Sequence, residues 1–221
     1  MIIVIDGPSG SGKSSTARAV AERLGINYLD SGALYRAITW IWLEEGKPDR
    51  FIDILASSQI RFHYEQGRFT IQVDGKCIDH EIRGKRVSDQ VSRVAAMKPV
   101  RAYVNRLMRE RIRDGIYIAD GRDLGTAVFP DADVKIYMDA SLEVRADRRF
   151  RELKRAGHEI TRKEVNENLA ARDRTDRSRS ADPLAIAEDA IRIDNSSRSF
   201  EQLVDDISRI IRERIGPGSE Q

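Results

Sequence analysis

Short apolar runs alternate with amphipathic stretches along most of this 221-residue chain. The runs are rich in β-branched residues, and each predicts one buried strand. They occupy residues 2–5, 26–29, 116–119, 134–138 and 191–193. The stretches between them predict helices near residues 13–24, 31–45, 85–97, 99–114, 141–153, 161–175 and 199–214. Apolar strands that alternate with helices favour an α/β fold with a five-stranded parallel sheet covered by helices on both faces.

One segment departs from this alternation. Residues 60–84 contain three shorter strand patterns, with turn residues Gly67 and Asp74-Gly75 between them. These strands are expected at residues 60–64, 69–73 and 76–79. Asp-Gly is typical of a tight hairpin turn, so we expect a small antiparallel patch inserted into the main fold. Gly46-Lys47-Pro48 is expected to end the second helix, and residues 216–221 are expected to form a disordered tail.

Composition removes several classes of protein from consideration. The 38 basic residues nearly balance the 36 acidic ones, and a net charge of +2 gives no argument for nucleic-acid binding. The one cysteine, Cys77, excludes an internal disulfide and a multi-cysteine zinc site. The first apolar run reaches Asp6 too soon for a signal peptide, and no apolar span is long enough to cross a membrane. We therefore expect a cytoplasmic protein with no membrane or nucleic-acid partner.

The loop after the first strand carries the clearest candidate chemistry. Residues 7–14 satisfy the pattern G-x-x-x-x-G-K-[ST] between a predicted strand and a predicted helix. Glycines let backbone N–H groups surround phosphate oxygens, and the helix adds the positive end of its dipole. Lys13 is expected to reach the β- and γ-phosphates, and the Ser14 hydroxyl is expected to bind Mg²⁺. The sequence thus predicts nucleoside triphosphate binding by Gly7, Pro8, Ser9, Gly10, Ser11, Gly12, Lys13, Ser14 and Ser15.

Polar residues also follow two other predicted strands. Ser31 could cap the helix that it opens, or it could bind an anion together with Arg36. Asp120 could hold Mg²⁺ or its water shell, or Asp120 and Asp123 could be neutralised by local arginines. Ligands of parallel sheets bind beyond the carboxyl ends of the strands, so these residues are expected near the phosphate loop.

Two arginine-rich segments leave alternatives open. One predicted helix has either a solvated charged face or a mobile lid over the triphosphate, and its arginines are Arg145, Arg148, Arg149 and Arg151. The segment 172–179 alternates arginines with Asp173 and Asp176. Such a run is typical of a solvent-facing helix or of an RNA-binding patch. The two acids and the lack of interleaved aromatic residues favour a small polar ligand instead.

Four segments considered together resemble one known family. They are Gly-Pro-Ser-Gly-Ser-Gly-Lys-Ser at 7–14, Leu-Asp-Ser-Gly-Ala-Leu-Tyr-Arg at 29–36, Ile-Ala-Asp-Gly-Arg-Asp-Leu-Gly-Thr at 118–126 and Arg-x-x-x-Asp-x-x-Arg at 172–179. In order and spacing the chain resembles the bacterial cytidylate kinases, of the nucleoside monophosphate kinase family, from residue 2 to about 212. The segments at 29–36 and 118–126 are more selective than the phosphate loop. The pattern departs at Arg174-Thr175, away from the ligand positions.

The resemblance implies a P-loop nucleoside monophosphate kinase fold with a core, a monophosphate-binding insertion and a lid. Residues 1–31 and 116–215 would form the core, with the lid at about 153–164. Residues 32–115 would form the monophosphate-binding region, with its small β insertion at about 60–84.

The resemblance also implies roles for individual residues. Lys13, Arg122 and Arg149 would be catalytic, and Arg145 would bind ATP together with the loop. Ser14 and Asp120 would bind Mg²⁺, directly or through water. The phosphate of CMP would contact Ser31, Arg36 and Arg122. The cytosine would contact Ser92, Arg101, Asp123 and Arg179, and the ribose would contact Arg172 and Asp176. Tyr35 would complete the CMP site.

The implied reaction transfers the γ-phosphoryl group of ATP to CMP or dCMP, giving ADP and CDP or dCDP, and a monomer is expected. The acceptor is an ionised phosphate oxygen, so no general base is required, and catalysis depends on positioning and on neutralising charge. Asp123 would accept a hydrogen bond from the cytosine amino group, which uracil lacks. The alternatives are a kinase for UMP or dephospho-coenzyme A and, from another class, an ATP-dependent RNA-binding regulator.

Overall fold

The computed structural model describes residues 1–46, 51–112 and 114–215. The strands are β1 (Ile2–Asp6), β2 (Asn27–Asp30), β3 (Ile60–Glu65), β4 (Arg68–Val73), β5 (Lys76–Cys77), β6 (Tyr117–Gly121), β7 (Val134–Asp139) and β8 (Ile191–Asp194). The α-helices are α1 (Lys13–Leu24), α2 (Ser31–Glu44), α3 (Phe51–Ser57), α4 (Lys85–Ala95), α5 (Lys98–Arg111), α6 (Leu142–Arg155), α7 (Arg162–Ser178) and α8 (Phe200–Ile215). The predicted stop at Lys47-Pro48 and the predicted tail at 216–221 lie outside the described residues.

The main sheet has five parallel strands in the order β2-β6-β1-β7-β8. The central strand β1 pairs with β6 on one side and with β7 on the other. Successive side chains of a strand point to opposite faces, yet Ile3, Val4 and Ile5 are all fully buried. Both faces of the sheet are therefore covered, and the predicted five-stranded parallel core is confirmed.

The parallel register brings the carboxyl ends of three strands to one edge of the sheet. Asp30 at the end of β2 lies opposite Asp120 of β6, and Asp6 at the end of β1 lies opposite Gly121. The loops that follow these strands therefore open at the same edge. Helix α1 begins at Lys13, directly after the glycine loop, and packs against β6 and α8.

A separate three-stranded antiparallel sheet forms between α3 and α4, in the order β3-β4-β5. Its two turns have left-handed backbone, at Gln66-Gly67 and at Asp74-Gly75, as two-residue hairpin turns require. Phe69 and Ile71 of β4 face the core, and both are buried. The predicted antiparallel patch is confirmed, although its third strand ends at Cys77 rather than at residue 79.

Some elements were not predicted. Helix α3 has seven residues with Phe51 and Leu55 as its buried positions, which is too short for helical periodicity to show. A 3-10 turn at Glu81–Arg83 and a π-helical segment at Leu124–Val128 were also missed. Helix α5 ends at Arg111, before the predicted end at residue 114. Among the described residues, no helix combines the length and the apolarity that crossing a membrane requires.

Candidate active site

A cavity of about 490 Å³ opens beyond the carboxyl ends of β1, β2 and β6. Its walls come from the glycine loop, the N-terminus of α2, helices α4, α6 and α7, and the loop after β6. The expected site residues that line it are Ser9, Gly10, Gly12, Lys13, Ser14, Ser15, Ser31, Tyr35, Arg36, Ser92, Asp120, Arg122, Asp123, Arg149, Arg172, Asp176 and Arg179. The remaining expected residues, Gly7, Pro8, Ser11, Arg101 and Arg145, are not among the lining residues, and all five are buried.

The glycine loop has the backbone that its sequence predicts. A Cβ atom at Gly7 would lie 2.0 Å from the carbonyl oxygen of Met138 in β7, so this close approach requires glycine. Gly12 has a φ of 92° and forms the N-cap of α1, whose first-turn N–H groups are thereby directed at the cavity. The loop therefore forms an anion-binding site at a helix N-terminus.

Lys13 lies within this loop, and its side chain is buried. Its Nζ donates a hydrogen bond to the carbonyl oxygen of Pro8, at 2.8 Å. Burial and the positive charge of Arg122 together lower the pKa of the Lys13 ammonium to about 7, although the negative charge of Asp120 acts in the opposite direction. An anionic ligand beside Lys13 would favour the charged ammonium.

Ser14 and Asp120, the residues expected to bind Mg²⁺, are in direct contact. The Ser14 hydroxyl donates to the Asp120 carboxylate at 2.6 Å, and the hydroxyl of Tyr28 donates to the other carboxylate oxygen at 2.7 Å. Asp30 is the neighbouring acid on β2, and burial together with the charge of Asp120 raises its pKa to about 6. Two acids and a hydroxyl therefore meet beside the phosphate loop, where a cation would relieve their repulsion.

The N-terminus of α2 is capped by Asp30, not by Ser31. The Asp30 carboxylate accepts from the backbone N–H of Ala33 at 2.8 Å. The alternative in which Ser31 caps the helix is therefore wrong, because the Ser31 hydroxyl donates instead to the carbonyl oxygen of Asp120, at 2.6 Å. This bond ties the start of α2 to β6. Ser31 still lines the cavity.

Arg36 extends from the first turns of α2 toward the segment that precedes α4 and the start of α4 itself. Its guanidinium donates to the carbonyl oxygen of Ile82 at 3.2 Å and to the hydroxyl of Ser88 at 2.9 Å. Burial is the main cause that lowers its pKa, and the positive charges of Arg149, Arg83 and Arg122 act in the same direction. Arg36 thus lies in a strongly positive part of the cavity.

A chain of alternating charges, four of whose six members line the cavity, extends from behind its wall, and we call it the ion-pair chain. Its members in order are Asp182, Arg101, Asp123, Arg179, Asp176 and Arg122. Asp123 is at its centre: one carboxylate oxygen accepts from Arg101, and the other accepts from Arg179 at 2.9 Å. Arg122 reaches Asp176 at 3.1 Å. The chain connects α5, the loop after β6 and the C-terminal end of α7.

Asp123 and Arg101 are both almost completely buried. Desolvation raises the pKa of the Asp123 carboxyl, although the two arginines beside it favour the carboxylate. An ionised carboxylate has about four acceptor positions, so two guanidinium bonds leave capacity for a further donor. The edge of Asp123 that lines the cavity is therefore able to accept a hydrogen bond from a ligand.

Arg172 of α7 has an unsatisfied hydrogen-bond donor in the cavity wall. Its Nε atom is buried, and no protein atom accepts a hydrogen bond from it within the described residues. Burial, together with the like charges of Arg122 and Arg36, lowers the pKa of Arg172 to about 10. Since buried donors are normally satisfied, the convergence of these arginines indicates an anionic ligand between them.

Helix α6 holds its arginines in different ways. Arg145 is buried and donates to the carbonyl oxygens of Ala140 (2.9 Å) and Ser9 (3.0 Å), and it pairs with Asp173 at 2.8 Å. Arg149 lines the cavity and pairs with Glu152 at 2.7 Å. A uniformly solvated face is therefore excluded for this helix.

Several residues with a place in the site were not expected from the sequence. Asp6 accepts from the backbone N–H groups of Leu124 and Gly125, at 2.9 and 2.8 Å, which holds the loop after β6. Asn195, after β8, donates to the carbonyl oxygen of Ser11 in the glycine loop. The sequence contained one indication of both residues, because each is polar and lies at or just beyond the end of an apolar strand. Asp6 ends β1, and Asn195 follows β8. Tyr28 and Asp182 gave no such sign.

The geometry describes a site for two anions. The phosphate loop with Lys13 and four members of the ion-pair chain, Arg122, Asp123, Asp176 and Arg179, line one cavity. Arg36, Arg149 and Arg172 line the same cavity. Within the described residues, no group of three or more His, Cys, Asp or Glu side chains is placed to hold a metal by itself. The arrangement suits transfer of a phosphoryl group, in which positioning and neutralisation of charge matter most.

Comparison with known proteins gives a consistent family. A family model described as cytidylate kinase matches residues 3–213. The chain is 41% identical to a cytidylate kinase of Streptomyces avermitilis, over 97% of this chain and 94% of that protein. It is 40% identical to a cytidylate kinase of Carboxydothermus hydrogenoformans, over 96% and 97% respectively. It is also 39% identical to a bifunctional pantoate ligase/cytidylate kinase of Synechococcus, and it spans 45% of the length of that protein.

Proposed function

This chain belongs to the cytidylate kinase family, and from that premise we propose how its residues carry out the reaction. The enzyme transfers the γ-phosphoryl group of ATP to CMP or dCMP, giving ADP and CDP or dCDP. The observation that supports the residue roles best is that the phosphate loop and the ion-pair chain line the same cavity. The alternative of a UMP or dephospho-coenzyme A kinase is not favoured by the relatives.

ATP is proposed to bind with its phosphates in the glycine loop, where the N-terminus of α1 and Lys13 contribute positive charge. Gly7, Pro8 and Ser11 are proposed to belong to this ATP-binding loop, to which they contribute backbone, since they are buried. Arg145 is proposed to act on ATP through the loop, since its guanidinium holds the Ser9 carbonyl. In this proposal Arg145 contributes to ATP binding by holding the loop in place.

The side chains present suit Mg²⁺. The ion takes one or two carboxylates and completes its octahedron with waters and substrate phosphates. Asp120 and the Ser14 hydroxyl are proposed to hold it, directly or through water, and the neighbouring Asp30 adds negative charge. When bound, Mg²⁺ neutralises charge on the β- and γ-phosphate oxygens.

CMP is proposed to bind with its phosphate beside Ser31, Arg36 and Arg122. The remaining contacts are proposed as Ser92, Arg101, Asp123 and Arg179 for cytosine, Arg172 and Asp176 for ribose, and Tyr35 for packing. Arg101 is 1% exposed, so its contribution is to hold Asp123 rather than to offer a large contact surface.

Phosphoryl transfer then follows from the charges of the chain's own residues. The attacking phosphate oxygen of CMP is ionised at neutral pH, so no side chain needs to remove a proton. Lys13, Arg122 and Arg149 neutralise the group in transit, and the loop and Arg36 keep donor and acceptor in line. Residues at about 153–164 are proposed as a lid that excludes water, which would otherwise accept the phosphoryl group. We propose that residues 1–31 and 116–215 form the core of the enzyme. Residues 32–115 are proposed to form the monophosphate-binding region.

We also propose that the enzyme acts in the cytoplasm and as a monomer. The exposed free thiol of Cys77 is compatible with a reducing compartment. In the described residues, large apolar side chains are exposed only at Ile52, Ile186, Ile191 and Phe200, which gives little surface for a stable apolar interface.

A coupled assay for ADP release, run separately with CMP, dCMP, UMP and dephospho-coenzyme A, tests the proposal. ADP should form with CMP or dCMP at rates far above those with the other two acceptors. ADP formation that depends only on UMP or only on dephospho-coenzyme A would contradict it. Salt-sensitive RNA affinity without acceptor-dependent ADP release would instead indicate an RNA-binding regulator.

A further inference from the structure

Asp182 lies outside the segments that carry the family resemblance, yet it ends the ion-pair chain. Its carboxylate accepts from Arg101 Nε at 2.8 Å, and its backbone carbonyl accepts from Arg179 Nε at 2.8 Å. It therefore contacts both arginines that hold Asp123. Among the described residues, Asp123 is the only other residue that accepts hydrogen bonds from both guanidinium groups.

The backbone at Asp182 is unusual for a residue other than glycine. Its φ of 45° lies in the left-handed region, which side chains with a Cβ rarely adopt. Aspartate and asparagine tolerate this conformation better than most residues. The chain just beyond it is fixed, because Leu184 is buried and its N–H donates to the carbonyl oxygen of Asp176 at 2.7 Å. The turn thus directs both the carboxylate and the carbonyl of Asp182 at the arginines.

The charges of the chain explain why a second carboxylate is needed. Arg101 has almost no contact with water, and its Nη1 is satisfied by the carbonyl of Ala95 at 3.1 Å. Its other two nitrogens, Nε and Nη2, donate hydrogen bonds to the carboxylates of Asp182 and Asp123 respectively. Without the Asp182 carboxylate, Asp123 would be the only carboxylate paired with Arg101. Arg101 would then be free to shift toward the other carboxylate oxygen of Asp123, the one that Arg179 contacts.

We propose that Asp182 is a positioning residue for cytosine selectivity: it fixes Arg101 and Arg179 so that Asp123 presents a free acceptor position to the base. Asp182 touches no reacting atom in this proposal, and it is not among the residues that line the cavity. The inference rests on the proposed function, since it assigns the cytosine-reading role to Asp123. It predicts that loss of the Asp182 charge affects the acceptor base and leaves the ATP end of the cavity unchanged.

The test is Asp182→Asn, which preserves size and the tolerance for left-handed backbone but removes the charge. The Asp205→Asn variant is the matched control, because it also removes the charge from an Asp–Arg pair, the solvent-exposed pair between Asp205 on α8 and Arg23 on α1. Steady-state kinetics with CMP and with UMP, each against saturating ATP, would be compared with the KM for ATP. We expect the KM for CMP to rise about tenfold in Asp182→Asn and the preference for CMP over UMP to fall by a similar factor.

The KM for ATP should stay within about twofold of the wild type, and Asp205→Asn should match the wild type throughout. The shift of melting temperature that CMP produces should shrink in Asp182→Asn, while the shift that ATP produces should not. An unchanged preference for CMP over UMP would overturn the proposal. An equal rise of the KM for CMP and the KM for ATP would also overturn it, as would an Asp182→Asn variant that does not fold. If the wild type itself gives no CMP-dependent ADP, the proposed function fails instead of this inference.

Discussion

Replacing Asp123 by alanine tests the centre of the ion-pair chain. The substitution removes the carboxylate that both Arg101 and Arg179 share, and the side chains of all three residues are at most 4% exposed. Breaking a buried ion pair from one side costs about 3–5 kcal/mol. Arg101 keeps Asp182 and Arg179 keeps Asp176, so we expect the lower end of this range, about 3 kcal/mol.

For a chain of this length, about 3 kcal/mol corresponds to a fall in melting temperature of roughly 6–12 °C. The preference for CMP over UMP should also fall, by about 100-fold or more, because the substitution removes the acceptor that we propose distinguishes an amino group from a carbonyl. The KM for ATP should change by no more than about twofold, since Lys13 and the glycine loop have no bond to Asp123. Thermal denaturation followed by circular dichroism, together with the coupled ADP assay, measures these effects.

Asp205→Ala is the matched control for this variant. Asp205 also pairs with an arginine, Arg23, but both side chains are well exposed, so its loss should cost at most about 1 kcal/mol. If Asp123→Ala melts like this control, the buried network contributes little stability and the calculation is wrong. If the rates with CMP and UMP fall by the same factor, Asp123 does not read the base.

Three further substitutions test other parts of the site. Lys13→Ala should lower phosphoryl transfer to every acceptor by about 100-fold or more in the ADP assay, and near-normal turnover would contradict its role. Arg145→Met leaves the Ser9 carbonyl and Asp173 without their partner, so urea denaturation should show a loss of about 3 kcal/mol, and the KM for ATP should rise; an unchanged KM would mean that Arg145 does not position the loop. Burial raises the pKa of Asp6 to about 6, from 3.8. The folded protein therefore binds this proton more tightly, and stability due to Asp6 is present below about pH 4 and is lost as pH rises through 6, by about 3 kcal/mol in total. Asp6→Asn should remove this part of the pH dependence of the free energy of unfolding. If the free energy of unfolding of the wild type and of Asp6→Asn changes with pH in parallel, the prediction is refuted.

Most of the fold could be predicted from the chain itself. A buried parallel strand is apolar along its whole length, and a helix against a sheet has one apolar stripe, so both are visible in a short window of sequence. The two hairpins were equally accessible, because residues such as Gly67 and Gly75 mark tight turns. Helix α3 was missed because two buried positions in seven residues do not establish a period.

The site divides in the same way. The glycine loop and the residues at the ends of β2 and β6 were predictable, because their chemistry depends on neighbours in the sequence and on the rule that parallel strands end at one edge. By itself the sequence determined the fold class, the nucleotide-binding loop and the family to which the chain is similar. Tertiary structure alone decided the capping of α2 by Asp30, the π-helical segment held by Asp6, and the place of Arg145 behind the glycine loop. It also brought Asp182 to Arg101, 81 positions away in the chain. The physical reason is that hydrogen bonds and ion pairs between distant residues depend on how elements pack, whereas periodicity and loop motifs record only what each segment does locally.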